Sequence, residues 1–176
     1  MSARAITLRL AEPRDVVSIA AMSRDYIESG LGWRYDAARV QRAIHHPATV
    51  ALVASERGAA MERCALAGFA LMDFGEERAH LVLLAVRPSL RRHGIGRRMV
   101  EWLLASARTA GIQSVHLELR EGNGAARRFY EAMGFSQTLL VPGYYRGREA
   151  ALRMVRVLRA PGPVPYRWCP PALGQK

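Results

Sequence analysis

The sequence predicts a mixed α/β domain, and three observations carry that expectation. Short apolar or alternating runs, the mark of strands, stand near both ends of the 176-residue chain and between its helical stretches. From Gly94 to Ala110 apolar residues return every four positions, at Ile95, Met99, Leu103 and Ala107 with Val100 and Leu104 beside them. That is the stripe of an amphipathic helix. In "SVHLELR" Val115, Leu117 and Leu119 alternate with His116, Glu118 and Arg120, so one face of a strand is apolar and the other polar.

The remaining elements follow in order. "AITLRL" (Ala5 to Leu10) is a short strand. Pro13 suits the first turn of a helix, and Val16, Ile19, Ala20, Ser23 and Ile27 mark its inner face until Gly30. "LGWRYD" is a loop, Asp36 caps a second helix to His46, and Pro47 stops it. "TVALVAS" is a strand and "ERGAAMER" a turn. "CALAGFALMDF" and "HLVLLAVR" are two strands joined by the hairpin turn "GEER". Gly111 ends the long helix. "GNGAARRFYEAMG" is a short helix closed by Gly134, and "FSQTLLV" and "EAALRMVRVL" are the last strands, around the loop "PGYYRGR". Residues 1–159 read as one domain. Residues 160–176, "APGPVPYRWCPPALGQK", read as an irregular proline-rich tail.

Composition narrows the function. Half the residues are hydrophobic, enough for a core, and no apolar run approaches the roughly 20 residues of a membrane span. The opening "MSARAITLRLAEP" has no apolar secretory core, and Cys64 and Cys169 stand far apart without metal-like spacing. The expectation is a cytoplasmic protein with free thiols and no metal site. The net charge is +11, and Lys176 is the only lysine among 26 Lys and Arg residues. Such a surface attracts nucleic acid or phosphorylated ligands and disfavours a polycationic substrate. No nucleic-acid-binding motif accompanies the charge.

The charge concentrates in "VRPSLRRHGIGRRMVEWL" (Val86 to Leu103), where Arg91, Arg92, Arg97 and Arg98 surround Gly94 and Gly96 at the start of a helix. A helix N-terminus offers unpaired N–H groups and a positive dipole end, glycines let a ligand approach the backbone, and arginines add charge-assisted bonds. The residues alone allow two readings, a pyrophosphate site or an ordinary solvated basic turn. They exclude a P-loop, which lacks its Gly-Lys-Ser/Thr end here, and the dinucleotide fingerprint, because Met99 stands where its third glycine belongs.

"RRHGIG" resembles the R/Q-x-x-G-x-G/A signature of the GCN5-related N-acetyltransferases, with Arg91, Gly94 and Gly96 at the defining positions. "LELREGNGAARRFYEAMGF" resembles a second segment of that family, and "GYYRGREAALRM" resembles the Tyr-Tyr loop and closing strand of its ribosomal-protein alanine N-acetyltransferases. The resemblance spans Ala5 to Arg159. It is strong from Gly68 to Met154 and weak before Thr49.

The resemblance implies a mixed, splayed sheet of about seven strands with helices on both faces, and acetyl-CoA as acetyl donor between the parallel fourth and fifth strands. The donor's pyrophosphate would meet the amides of Arg92, His93, Gly94, Ile95, Gly96 and Arg97, next to Arg91. Its pantetheine would run along Leu84, Ala85 and Val86, with Asn123 touching the cofactor arm. Glu118 would be the general base and Tyr130 the acid that protonates the leaving sulfur. An amide near Val86 would hold the oxyanion. Trp33, Tyr35, Tyr144 and Tyr145 would wall the acceptor channel.

Each assignment has a plainer counterpart. Glu118 fits a wet sheet face, Tyr130 fits core packing beside Phe129, and Trp33 with Tyr35 fits a hydrophobic plug. His45, His46, His80 and His116 are expected to be structural rather than catalytic. Two departures bear on the acceptor: Leu83 where relatives often carry a polar residue, and Ala150 after the glutamate of "GRE". The acceptor is expected to be a primary amine, a protein N-terminal α-amine first and a small amine such as an antibiotic or amino acid second. A non-enzymatic nucleic-acid or ribosome binder comes third. Monomer and homodimer are both compatible with the sequence.

Overall fold

The computed structural model describes residues 6–56 and 66–159. The rest of the predicted turn "ERGAAMER" after Glu56, both cysteines and the predicted proline-rich tail lie outside the described residues.

Seven strands form one sheet. They are β1 (Ile6–Leu10), β2 (Thr49–Glu56), β3 (Leu66–Phe74), β4 (Arg78–Val86), β5 (Ser114–Arg120), β6 (Ser136–Tyr145) and β7 (Glu149–Val157), in the spatial order β1-β2-β3-β4-β5-β7-β6. Every neighbouring pair is antiparallel except β4 and β5. The helices are α1 (Val16–Tyr26), α2 (Ala37–His45), α3 (Ile95–Thr109) and α4 (Gly124–Ala132).

Local chemistry explains the boundaries. Pro13 opens a 3-10 turn rather than α1 itself, and Asp15 closes that turn by accepting from the Glu12 amide at 2.8 Å. Arg9 on β1 holds the same carboxylate through two bonds, at 2.6 and 2.8 Å. Asp36 caps α2 as its residue type predicts, accepting from the Arg39 amide at 2.8 Å. The predicted first helix is shorter than expected. Ile27 and Glu28 both donate to the Ser23 carbonyl, which ends α1 before the loop residues begin.

The two sheet faces carry separate cores. On one, Met99, Val100, Leu103 and Leu104 of α3, Tyr130 of α4 and Met133 just after it pack on Leu52, Ala70, Leu81, Leu117 and Met154. On the other, Val16, Ile19 and Ala20 of α1 and Val40 of α2 pack on Val53, Phe69, Leu83 and Ala85. Each fully buried Leu or Phe contributes about 1.5–3 kcal/mol, so both faces are needed to hold the sheet.

Strand β4 changes faces midway. Leu71 of β3 pairs with Leu83 and the next residue, Met72, pairs with Leu81, so Val82 is the extra residue of a β-bulge. Before the bulge Ala79 and Leu81 face α3. After it Leu83 and Ala85 face α1 and α2, while Leu84 and Val86 turn toward α3. A bulge bends its strand. Strands β4 and β5 pair only over Arg78↔Ser114, Ala79↔Val115 and His80↔His116, and then part. The expected splay is therefore present, and the bulge lies just past the last pair.

The predicted loop Pro142–Arg148 is a difference. Strand β6 runs on through Pro142, Gly143, Tyr144 and Tyr145, and only residues 146–148 turn. Proline is tolerated because β6 is an edge strand, and its ladder to β7 is irregular between Val141 and Tyr145.

Candidate active site

Beyond His80 and His116 the parted strands enclose a cleft of about 560 Å³. Leu81, Val82 and Leu84 of β4 form one wall, and Leu117, Glu118, Leu119 and Arg120 of β5 the other. Asn123, Ala126 and Tyr130 close it on the α4 side, and Tyr26, Ile27, Ser29 and Leu31 on the α1 side. Tyr145 and Glu149, from either side of the β6–β7 turn, complete the lining.

The basic loop lies at the end of β4. Gly94 takes φ +76° as the residue before α3, and a Cβ built there would meet nothing within 4 Å, so the space above it is open. The amides of Arg92, His93, Gly94, Ile95, Gly96 and Arg97 have no partner among the described residues; the first paired amide is Arg98, which donates to the Gly94 carbonyl. Gly96 serves packing as well: a Cβ there would contact Phe129 and Val86, both at 3.6 Å. The arginines of the loop point to separate partners, which relieves their mutual repulsion. Arg91 donates to the Val86 carbonyl at 3.0 Å, Arg97 pairs with Glu101 at 2.9 Å, and Arg98 reaches the Ile6 carbonyl at 3.1 Å. His93 Nδ1 contacts the Arg91 carbonyl oxygen at 2.8 Å. Arg92 has no side-chain partner among the described residues. Past His80 the β5-facing edge of β4 has no ladder partner, while its other edge stays bonded to β3 through Leu84, Ala85 and Val86.

Glu118 lies opposite Arg153 in the β5–β7 register, and its Oε1 accepts from Arg153 Nε at 2.9 Å. Its Oε2 lies 2.6 Å from Nε2 of His80. The His80 bond holds the carboxyl below its ordinary value, burial opposes the shift, and Arg153 adds to it. The carboxylate is therefore ionised at neutral pH. Neighbouring His116 contacts Ser114 Oγ at 2.9 Å, and burial, followed by Arg78, lowers its basicity.

Tyr130 packs edge-on to Phe129 and Phe135, with ring centroids 5.0 and 5.5 Å away. Burial pushes its hydroxyl well above the ordinary tyrosine value, so it stays protonated across the neutral range. It can donate a proton but is a poor base. Asn123 lines the cleft and also caps α4, its Oδ1 accepting from the Ala126 amide at 3.1 Å.

The predicted aromatic wall separates. Tyr145 lines the cleft. Tyr144 meets it edge-on at 5.0 Å and is half exposed, Trp33 lies under Arg24, and Tyr35 packs against the α1–α2 core beneath Arg39. Of the two departures, Leu83 is 6% exposed and sits in the core, because the bulge turns it away from the cleft. Sequence reasoning missed Arg120, which donates to the Ser29 carbonyl at 2.5 Å, approaches Glu149 at 3.7 Å and stacks on Tyr145. It also missed buried Glu28, which accepts from Ser23 Oγ and from the amides of Arg34 and Tyr35 and so fixes the loop after α1. A lone acid closing an aromatic loop was the only signal for Glu28.

A sheet opened at its one parallel pair, with an amide-rich helix start at the end of the opened strand, defines a cleft built for an elongated phosphorylated ligand. Residues 19–135 match the acetyltransferase (GNAT) family, and the chain belongs to it. A [ribosomal protein bS18]-alanine N-acetyltransferase of Salmonella typhimurium is 35% identical over 92 residues, 51% of this chain and 62% of that protein. The chain thus spans about three-fifths of the length of the curated relatives it matches. Among solved structures, Ard1 of Thermoplasma volcanium is similar with a TM-score of 0.72 and 26% identity, over 86% of this chain and 97% of its own. Arabidopsis thaliana NAA60 in complex with acetyl-CoA shares the fold, with a TM-score of 0.77 and 19% identity over 87% and 98%. Among the described residues no helix is long and apolar enough to cross a membrane, and no cluster of His, Cys, Asp and Glu could hold a metal ion.

Proposed function

We propose that the protein transfers an acetyl group from acetyl-CoA to a primary amine, the N-terminal α-amine of a protein chain. The observation that carries this reading is the placement of Glu118 and Tyr130 in one cleft, opened by the parting of β4 and β5. The residues suit the donor. Six unpartnered amides and the open space at Gly94 accommodate pyrophosphate, and the free edge of β4 from Leu84 to Val86 offers backbone bonds to an extended amide-bearing arm. The acetyl thioester supplies the activated acyl group.

The chain's own residues supply the rest. An α-amine has an ordinary pKa of about 7.7–8.0, so a carboxylate can take its proton near neutrality, directly or through one water. Glu118, ionised and bonded from both sides, is that acceptor. The amine attacks the carbonyl carbon, an amide near Val86 stabilises the developing oxyanion, and Tyr130 donates to the departing sulfur. The name of the similar ribosomal-protein alanine N-acetyltransferase supports a protein N-terminus as acceptor.

The test is acetyl-CoA turnover by the full chain against a panel of peptides with free N-termini and small amines, read by mass spectrometry, with Glu118→Gln in parallel. A mass shift on the peptide N-terminus, lost by about 100- to 10,000-fold in Glu118→Gln with CoA affinity kept, is expected. Acetylation of small amines alone would assign the acceptor to that class.

A further inference from the structure

We infer that the acceptor is a protein with acidic residues just behind its first residue, and that exposed arginines at the mouth of the cleft read them. This inference rests on the reading of the cleft as a site for a protein N-terminus.

Two loops build the mouth. On one side is the loop after α1, whose Ser29 and Leu31 line the cleft. On the other is the β6–β7 turn, flanked by the lining residues Tyr145 and Glu149. The loops touch, because the Arg146 guanidinium lies where a Cβ at Gly32 would stand. Arg34 on the first loop and Arg146 and Arg148 on the turn are all exposed. None of these three side chains has a hydrogen bond, ion pair or ring contact with another described residue.

The carboxylates of the site are already engaged. Glu118 is held by His80 and Arg153, at 2.6 and 2.9 Å. Glu149 faces Arg120 at 3.7 Å. Glu28 is buried and accepts from Ser23 Oγ and from the amides of Arg34 and Tyr35. Asp25 is bound by Arg24 at 2.7 Å. This imbalance sets the sign of the preference. An acidic segment meets guanidiniums that have no other partner. A basic segment is repelled by the same guanidiniums and has to compete for carboxylates that are taken.

Distance selects which acceptor residues are read. Glu118 lies opposite Arg153 in the β5–β7 register, and Glu149 stands four residues nearer the turn. At ~3.3 Å per strand residue that is about 13 Å. An extended acceptor with its amine at Glu118 therefore brings its second to fifth residues toward Glu149 and the turn.

The experiment gives the full chain acetyl-CoA and two peptides that share a first residue and carry either Asp or Lys at positions two to five. The readout is the ratio of their kcat/KM values. The Asp peptide should be preferred about 5- to 50-fold at low salt. The ratio should shrink toward unity with added salt, because the screening length falls from about 8 Å at 0.15 M to about 3 Å at 1 M. Arg34→Glu combined with Arg148→Glu should reverse the preference. A ratio taken on one preparation is unaffected by partial loss of folded protein. Acetyl-CoA affinity should not move in the double variant; a matching loss would assign these arginines to the donor's phosphates and overturn the proposal. Equal use of the two peptides, a preference for Lys, or a wild-type ratio in the double variant would also overturn it, while leaving N-terminal acetylation in place. No peptide acetylated by the wild type would instead overturn the reading of the acceptor as a protein N-terminus, and this inference with it.

Discussion

Arg120 on β5 donates to the carbonyl oxygen of Ser29, just beyond the end of α1, at 2.5 Å. The bond ties the opened strand to the loop that follows α1. Nearby, the Arg146 guanidinium of the β6–β7 turn occupies the place a Cβ at Gly32 would take, so a second arginine clasps the same loop. Together they fix the α1 side of the cleft, where the proposed acceptor would enter.

The Arg120→Ala variant should therefore separate donor from acceptor binding. Arg120 is 30% exposed, so the lost bonds are worth about 1 kcal/mol, roughly a fivefold rise in acceptor KM. Acetyl-CoA affinity should stay the same in calorimetry. A matching fall in CoA affinity would place Arg120 on the donor side.

Gly94→Val should weaken acetyl-CoA binding by more than tenfold. At φ +76° the branched side chain also strains the backbone by about 1–2 kcal/mol. That strain lowers the melting temperature by about 2–4 °C per kcal/mol. Gly111→Val is the control, because Gly111 has φ +79° and equally open space but lies after the other end of α3. Both variants should melt early, and only Gly94→Val should lose the donor. Equal CoA affinity in the two would remove the pyrophosphate assignment.

Tyr130→Phe keeps the ring between Phe129 and Phe135, so its melting curve should overlay the wild type. Turnover should fall by about 10- to 1,000-fold, since a thiolate leaves without help only moderately well. Burial raises the Tyr130 hydroxyl far above neutral, so no alkaline fall in rate should arise from it near pH 8 to 9. Full turnover in the variant would leave Tyr130 a core aromatic.

Stability should fall on the acid side through two carboxylates. Burial opposes ionisation of Asp15, but the Arg9 bonds and the Glu12 amide outweigh it, and its carboxyl is lowered; Glu118 is lowered chiefly by His80. A folded value below the unfolded one means stability is present above the unfolded carboxylate range of about 4 and is lost as pH drops through the folded values. Urea melts at descending pH should show this loss, with a shallower slope in Asp15→Asn. The substitution itself should cost about 1–3 kcal/mol near neutral pH. A wild-type slope in Asp15→Asn would show that Arg9 gives no preferential support to the ionised form.

What the sequence made legible follows from local physics. The four-residue recurrence of α3, the Asp36 cap and the alternation of β5 each act within a few residues, and each element appears where those signals put it. Gly94 could be read because a single turn needed it. The bulge could not, because Val82, Leu83 and Leu84 are all apolar and either facing of the strand satisfies the pattern. Nor could the contact of His80 with Glu118, which depends on the register of two strands 38 residues apart. The extension of β6 through Pro142 was hidden for another reason: proline speaks against a strand unless its edge position is known.

The extra residue at Val82 divides β4 into two halves that count inside and outside in opposite phase. Were Val82 absorbed into a regular ladder, the hydrophobicity of the strand would be unchanged, yet each residue downstream would swap the core it serves. Leu83 and Ala85 would turn to the α3 side and Leu84 and Val86 to the α1 side, against partners shaped for different volumes. Deleting Val82 would do the opposite: it would join the halves in one regular alternation, keep those facings and take away the bend. The facing of the strand beside the cleft thus depends on an odd or even number of residues as much as on any side chain.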